Sequence, residues 1–538
     1  MPGVIAGARK SLLIGLCGLA FVQSGIAVAT ALSVAAIAKA LLTQTPLSEW
    51  AITIAALAVP FAAACRWAER VQAEKLGQSY VETIRKRFIR RALQTPATAL
   101  AGRAHGAMML RFTGDMGALR NWAARGLARL VVGGTTLAAG AAALLWLDPI
   151  IGLTFVATAI ATICLAARLT ASLSSKAKIA RQNRSNLARN FGEVLAAVGA
   201  YQTFGAGRRA IRQVARRASD VRQAAIGQAR AAGGIQAVAE AATTAMPTLC
   251  LLSAAIFGAE PAAAFAGIAI ASILSPRLRD LGRVAEYWTT AQIAQARIAS
   301  TFSGMLRPNR TPSLEINADL GGVAFEQFSV PPTLRNISGQ AFAGERIALV
   351  GPNGSGKSML LLALAGLAPH RGSLVIDGWQ ASRATQGSLA GHIAYVGDAA
   401  PIIGGTVEKN LRLGAPEASS DDIDAVLSQF DLFALAARCN RVAALGRNLS
   451  SGERARLMTA RALLAKPRIL LLDEIEANLD DVSEALVWAA VRSFQGLVIF
   501  ATHDPARMAS ADKVWTIKSG RLVEHVPQDP KIAITEVR

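Results

Sequence analysis

Ile347-Ala-Leu-Val350-Gly351-Pro352-Asn353-Gly354-Ser355-Gly356-Lys357-Ser358-Met359 is the stretch that decides the fold. Its first four residues are the continuous apolar run of a buried strand, and the apolar residues from Met359 to Leu367 read as a helix. A strand, a glycine loop ending in Lys-Ser and a helix together form the context of a phosphate-binding loop. Glycines let backbone N–H groups close around phosphate oxygens, and the helix N-terminus adds a favourable dipole. Residues Gly351 to Met359 are therefore assigned to nucleotide, with Lys357 on the β- and γ-phosphates and Ser358 on Mg²⁺.

Downstream, Arg468-Ile-Leu-Leu-Leu472 is a second buried-strand run, and it ends in Asp473-Glu474. Carboxylates at a strand's C-terminal end face the ligand crevice of a parallel sheet. Asp473 is expected to hold Mg²⁺ through water, and Glu474 to orient and deprotonate the attacking water. Between the two motifs, Leu449-Ser450-Ser451-Gly452-Glu453 is followed by Arg454 to Lys466, which lacks Gly and Pro and reads as a helix with an anion-binding N-terminus.

That pentapeptide resembles the signature sequence, Leu-Ser-Gly-Gly-Gln, of ATP-binding cassette proteins. In that family the signature closes over the γ-phosphate held by the partner cassette, which implies the same for Ser450, Ser451, Gly452 and Glu453. Glu476-Ala-Asn-Leu-Asp480 resembles the family's D-loop, with Asp480 as its aspartate. Ile499-Phe-Ala-Thr-His503-Asp504 resembles the strand carrying the switch histidine, which implies that His503 contacts the γ-phosphate. ATP and Mg²⁺ are the implied cofactors. The other histidines, His105, His370, His392 and His525, read as surface or packing residues.

Three segments depart from the family pattern. In Tyr395-Val-Gly-Asp398, Asp398 stands at the position of the Q-loop glutamine, and its carboxylate suits a hard cation, so it joins Ser358 and Asp473 as a metal candidate. Val330 stands where an aromatic usually stacks on adenine, with Phe325 or Phe328 as possible substitutes. Val442-Ala-Ala444-Leu-Gly446 lacks the glutamate that exporters carry before the signature.

Hydrophobic residues make up 52% of the 538, too many for a wholly soluble chain. The net charge of +21 is unevenly placed: residues 1–310 hold 35 Lys+Arg against 12 Asp+Glu, and 311–538 hold 22 against 24. The basic half has long apolar runs between its charges and few interleaved aromatics, which excludes nucleic-acid binding and favours a membrane. Five dispersed cysteines, Cys17, Cys65, Cys164, Cys250 and Cys439, offer neither a disulfide framework nor zinc spacing.

A membrane helix needs about 20 apolar residues. Six runs qualify, at about 11–42, 47–65, 130–147, 149–167, 241–259 and 261–281. The first follows Arg9 and Lys10 but is too long for a signal peptide, so it is read as retained. Lys and Arg crowd the segments 66–129 and 168–230, which places those segments, both termini and the cassette on the cytoplasmic side. Lys39, near the outer end of the first run, either snorkels or lines a cavity. No proline interrupts the chain between Ile150 and Pro247, so the helices are expected to continue beyond the bilayer.

The expected fold is thus multi-domain: an all-α membrane domain of six long helices (1–310), resembling the type I exporter, followed by an α/β P-loop cassette (311–538). Pro96 to Asp115 and Glu193 to Gly205 resemble the two intracellular loops of that layout. The resemblance implies ATP-driven export or flipping of a polar or amphipathic compound by a homodimer, or by a heterodimer with a sister half-transporter. Importing a metal chelate, and gating as a membrane regulator, are the alternatives. The Ala-rich composition points to a bacterial cytoplasmic membrane. Arg279, Arg283 and Glu286, spaced by four and three, share one helical face that either lines an inward cavity for an anionic group or supports the helix by pairing and snorkelling.

Overall fold

The computed structural model describes residues 7, 9–101, 111–301, 322–381, 391–438, 441–476 and 479–525. Residues 102–110 of the first intracellular-loop match, including His105, and Cys439, Ala477, Asn478 and the 310/311 boundary lie outside them. The chain divides into two units, 1–92 with 103–304 and 93–102 with 305–538.

Helix α1 (Arg9–Thr43) and α2 (Glu49–Leu93) begin the first unit, and the short α3 (Ala97–Ala101) belongs to the second. Then come α4 (Phe112–Leu147), α5 (Pro149–Ala196), α6 (Val198–Thr203) and α7 (Gly207–Phe257). By length and composition, α1, α2, α4, α5 and α7 can each cross a membrane. The 48 residues of α5 extend roughly 70 Å, more than twice the ~30 Å hydrocarbon thickness, so the long charged segments are helix and not loop. Asp148 starts α5 by accepting N–H bonds from Ile150 and Ile151, with Pro149 at the first helical position.

The sixth apolar stretch corrects the reading of one helix over 261–281. It forms α8 (Pro261–Leu274) and α9 (Pro276–Thr301), because Pro276 has no N–H to give the Ser272 carbonyl. The buried Ser275 hydroxyl donates to that carbonyl instead, at 3.5 Å. Small residues let the helices approach closely. Gly140 abuts Leu274, and a Cβ on Gly152 would lie 2.6 Å from the Leu145 backbone nitrogen. Leu137, Leu144, Ile151, Phe155, Met246, Ile270 and Leu274 fill the space between these helices.

The second unit contains two sheets. The antiparallel one has the order β2 (Leu334–Phe342), β1 (Gly322–Val330), β4 (Arg371–Ile376), β5 (Trp379–Gln380). The other has the order β10 (Arg521–His525), β9 (Lys513–Lys518), β3 (Arg346–Val350), β8 (Leu497–Ala501), β7 (Ile469–Asp473), β6 (Ile393–Val396), parallel except for β10. Helix α10 (Lys357–Leu364) follows β3 and buries four leucines between the sheets. Thr98 of α3 donates both its N–H and its hydroxyl to the Leu367 carbonyl just beyond α10.

The remaining helices are α11 (Val407–Leu411), α12 (Ser420–Gln429), α13 (Phe433–Arg438), α14 (Ser451–Leu464), α15 (Asp481–Ser493) and α16 (Pro505–Ala509). The parallel arrangement is what matters for the site. It brings the C-terminal ends of β3, β8, β7 and β6 side by side, and each delivers chemical groups to the same crevice.

Candidate nucleotide site

The glycine loop needs its glycines for backbone reasons. Gly351, Gly354 and Gly356 have φ of 149°, 79° and 113°, a region that residues with a Cβ avoid. A Cβ on Gly351 would run into the Ile517 carbonyl, and one on Gly356 would lie 2.8 Å from Leu334. The resulting cradle leaves the Ser355 hydroxyl oxygen buried without a hydrogen-bond partner. Such an orphan fits a loop shaped for an oxyanion. Pro352, Asn353 and Gly354 are exposed at its tip. Met359 packs its side chain on the core, so what it presents to the loop is a backbone N–H of the first helical turn.

Around the cradle the structure gathers Lys357, Ser358, Asp473, Glu474 and His503. Lys357 is 4% exposed and its Nζ donates to the Gly351 carbonyl at 2.9 Å. The same Nζ lies 3.0 Å from His503 Nε2 and 3.6 Å from Glu474 Oε1. Glu474 Oε1 is also 3.4 Å from His503 Nε2. His503 Nε2 therefore sits between the Lys357 ammonium and the Glu474 carboxylate. Glu474 has φ +50°, an uncommon left-handed conformation that turns the chain sharply at the strand end.

Both oxygens of Asp473 are held by hydroxyls: Ser358 Oγ donates to Oδ1 at 2.9 Å, and Tyr395 Oη to Oδ2 at 2.8 Å. Burial pushes the Asp473 carboxyl up from its ordinary pKa, the two hydroxyls pull it down, and the charges of Glu474 and Asp398 push it up again. Asp398 is exposed and near enough to act on Asp473 through its charge. Burial likewise raises the Tyr395 phenol, as do the neighbouring carboxylates. The cluster's hydroxyl and carboxylate oxygens are the donors a hard divalent cation takes.

The signature residues form a second group. Ser450 caps α14, accepting from the Glu453 N–H at 3.1 Å, while Glu453 Oε2 accepts from the Ser450 N–H at 2.9 Å, a closed capping box. Arg438 pairs with Glu453 at 2.5 Å. Gly452 leaves no space for a Cβ beside Asp480 and Ser483, and Ser451 is exposed. Asp480 caps α15 through the Ser483 N–H at 3.1 Å, and its hydrogen bonds with Ser483 lower its pKa. The signature is thus bonded to α13 through Arg438 and packs at Gly452 against the start of α15, whereas Lys357 contacts Gly351, Glu474 and His503.

Sequence reasoning missed several supports. The buried Arg461 of α14 donates to the carbonyls of Ala400 and Pro401, the latter at 3.0 Å, tying the Q-loop to the signature helix. Thr502 donates to Glu476 and accepts from the Asp504 N–H at 3.0 Å, joining the D-loop stretch to the loop that carries His503. Tyr395 reads in sequence only as the first residue of the Q-loop segment. The adenine reading is corrected: Val330, Phe325 and Phe328 are all in the core, none more than 1% exposed, and Phe325 packs edge-on against Trp515.

Among the charges that follow Pro276, the half-buried Arg277 is the one tied into a side-chain network, whereas Arg279 and Arg283 are exposed. Arg277 donates to Gln23 Oε1 at 2.8 Å, and Gln23 donates to Glu69 Oε2 at 2.9 Å. Asp280 lies 4.0 Å from Arg277 and 3.6 Å from Arg129. Arg279 is exposed and pairs with Glu240 at 3.2 Å, and Arg283 is exposed. Lys39 lies 3.7 Å from Glu260, both exposed.

Two family models match the chain, one described as ABC transporter transmembrane region over residues 13–274 and one as ABC transporter over 334–477. Among curated proteins, the glutathione/L-cysteine transport system ATP-binding/permease protein of Escherichia coli (strain K12) is 32% identical over 50% of this chain and 48% of its own. A β-(1→2)glucan export ATP-binding/permease protein of Nitrobacter winogradskyi is 33% identical over 39% of this chain and 36% of its own. A fatty acid ABC transporter ATP-binding/permease protein of Mycobacterium bovis is 28% identical over 45% and 41%. The chain spans about half, or less, of the length of these relatives. The solved structure of a bacterial Atm1-family ABC exporter with ATP bound superposes with a TM-score of 0.84 over 96% of this chain and 95% of that one, at 18% identity, a likeness of fold. With its membrane region and its cassette matched in that order, the chain belongs to the ABC transporter family, as a half-transporter that fuses one membrane domain to one ATP-binding cassette.

Proposed function

We propose that the protein is an ATP-driven transporter of the bacterial cytoplasmic membrane that works as a dimer and exports or flips a polar or amphipathic compound. The observation carrying this reading is the meeting of Lys357, Ser358, Asp473, Glu474 and His503 at adjacent strand ends, in a chain whose other unit holds membrane-length helices. In this reading the loop N–H groups and Lys357 bind the phosphates. Glu474, next to the γ-phosphate position, takes the proton of the attacking water. His503, with Nε2 toward Lys357 and Glu474, fixes the terminal phosphate. Ser358, Asp473 and Asp398 are the residues that would hold Mg²⁺, which supplies charge neutralisation on the phosphates. ATPase activity coupled to transport is the corresponding enzyme class.

A dimer is supported by the exposure of both Ser451 in the signature and Asn353 in the phosphate loop, and by the exposed apolar tip around α6. There Phe191, Leu195, Val198, Phe204 and Ile211 are 47–82% exposed. Exposed apolar groups gathered at one helix-hairpin tip mark a macromolecular contact, and a partner chain's cassette fits it. Two copies of this chain suffice, and a sister half-transporter is the other candidate partner. The relatives are named for thiol compounds, a glucan and fatty acids, which makes an organic solute or lipid the class to screen. The test is reconstitution in lipid with a screen for compounds that stimulate Mg²⁺-dependent ATPase, followed by ATP-driven flux of the hits. Flux without ATP consumption, or hydrolysis indifferent to every membrane-derived solute, goes against transport.

A further inference from the structure

Asp473 ends β7 with both carboxylate oxygens already engaged, and one partner comes from outside the phosphate loop. Tyr395 stands on β6, the parallel neighbour of β7, in register with Leu471. Its half-buried ring packs on the apolar cluster between the sheets, which leaves the hydroxyl directed at Asp473 Oδ2, 2.8 Å away. Space for this contact depends on Gly397. A Cβ there would lie 2.6 Å from Tyr395 Oη and 3.0 Å from Asp473 Cβ, closer than real Cβ atoms come in the first case. An aspartate's terminal torsion is soft and twofold, so a single donor from Ser358 leaves the carboxylate free to rock. A second donor on the other oxygen fixes its plane.

We propose that Tyr395 is a positioning residue for the nucleotide site: its hydroxyl sets the orientation in which Asp473 meets the divalent cation, and Gly397 keeps open the space that contact needs. This rests on reading the cassette as a Mg²⁺-dependent ATPase. The neighbouring Asp398 makes the support important, because a second carboxylate close by favours any rotation that separates the two charges. Tyr395 touches neither phosphate nor water in this role. It acts through Asp473 alone.

The test uses the full-length protein in detergent or lipid. With Glu474→Gln added to stop turnover and ATP bound, Mn²⁺ is titrated by electron paramagnetic resonance, and ATP affinity is measured separately in EDTA. Tyr395→Phe, which removes one oxygen, should raise the Mn²⁺ midpoint on the order of tenfold, as expected for losing a hydrogen bond to a charged group. ATP affinity in EDTA should stay as in the parent. Gly397→Ala, which keeps the phenol but pushes it aside, should reproduce the shift. In the Glu474 background, Tyr395→Phe should raise the Mg²⁺ needed for half-maximal hydrolysis by a similar factor, with the rate recovered at saturating Mg²⁺. An unchanged midpoint in Tyr395→Phe overturns the positioning role. So does parallel loss of metal binding, metal-free ATP binding and thermal stability, which assigns the phenol to packing. If the unmutated protein shows no Mg²⁺-dependent hydrolysis at all, the ATPase reading itself fails, a result distinct from a working parent matched by Tyr395→Phe.

Discussion

Glu474→Gln isolates the chemical step from binding. The side chain is 45% exposed, projects from a strand end at φ +50°, and lies 3.6 Å from Lys357 Nζ and 3.4 Å from His503 Nε2. Glutamine has the same length and keeps the carbonyl oxygen that these neighbours can bond, but it cannot take a proton from water at neutral pH. Loss of a general base costs roughly 10²–10⁴-fold in rate, or about 3–5 kcal/mol of barrier. The ion pair with Lys357 is half-exposed on the glutamate side and worth at most about 1 kcal/mol, so ATP affinity should move by no more than about fivefold. Steady-state phosphate release and equilibrium binding of a fluorescent ATP analogue on the same preparation separate the two effects. Lys357→Ala supplies the contrast, since removing the buried ammonium should weaken binding itself. Hydrolysis within a factor of a few of the parent in Glu474→Gln would refute the assignment of the base.

Asp398→Ala should raise the Mg²⁺ concentration for half-maximal hydrolysis, measured as a metal titration at saturating ATP, and an unchanged titration removes Asp398 from the metal's surroundings. Val330→Tyr should not tighten ATP binding, because Val330 has no exposed surface. It should instead overpack the core at a cost of about 1–3 kcal/mol, read as a lower unfolding temperature of the cassette. Arg279→Glu with Arg283→Glu sets a carboxylate against Glu240 in place of the present ion pair. Substrate-stimulated ATPase should be lost and basal ATPase kept, whereas surviving stimulation in a folded protein takes this face out of the pathway.

What the sequence revealed follows from how narrowly chemistry restricts each residue. Gly351 to Ser358 and Asp473-Glu474 were legible because a backbone phosphate cradle and a strand-end carboxylate pair admit few alternatives. The adenine contact was misread because β1 is irregular. Its register slips between Phe325 and Phe328 and again between Phe328 and Val330, with Gln327 at φ +47°. Strict alternation would turn Phe325 and Phe328 to opposite faces, and the irregularity between them turns both inward, with Val330, two residues on, sharing the face of Phe328. Pro276 stood in plain view within 261–281, yet a hydropathy window registers the length of an apolar run and not the missing N–H that divides it. Tyr395 and Arg461 could not be read at all, since their partners are 78 and 60–61 residues away in sequence and the pairing exists only once β6 lies beside β7 and α14 lies against the Q-loop.

The central claim is that two chains share each nucleotide, with the phosphate loop of one facing the signature of the other. Asn353 and Ser451 are both exposed in the single chain, which makes them reporters. In a background free of the native cysteines and carrying Glu474→Gln, Asn353→Cys and Ser451→Cys are introduced into one chain and treated with a short bifunctional thiol reagent. The account predicts a cross-linked dimer on a non-reducing gel that forms with ATP, is weak without nucleotide, and disappears when either cysteine is omitted. A cross-link confined to the monomer, or a dimer band indifferent to ATP, would contradict it.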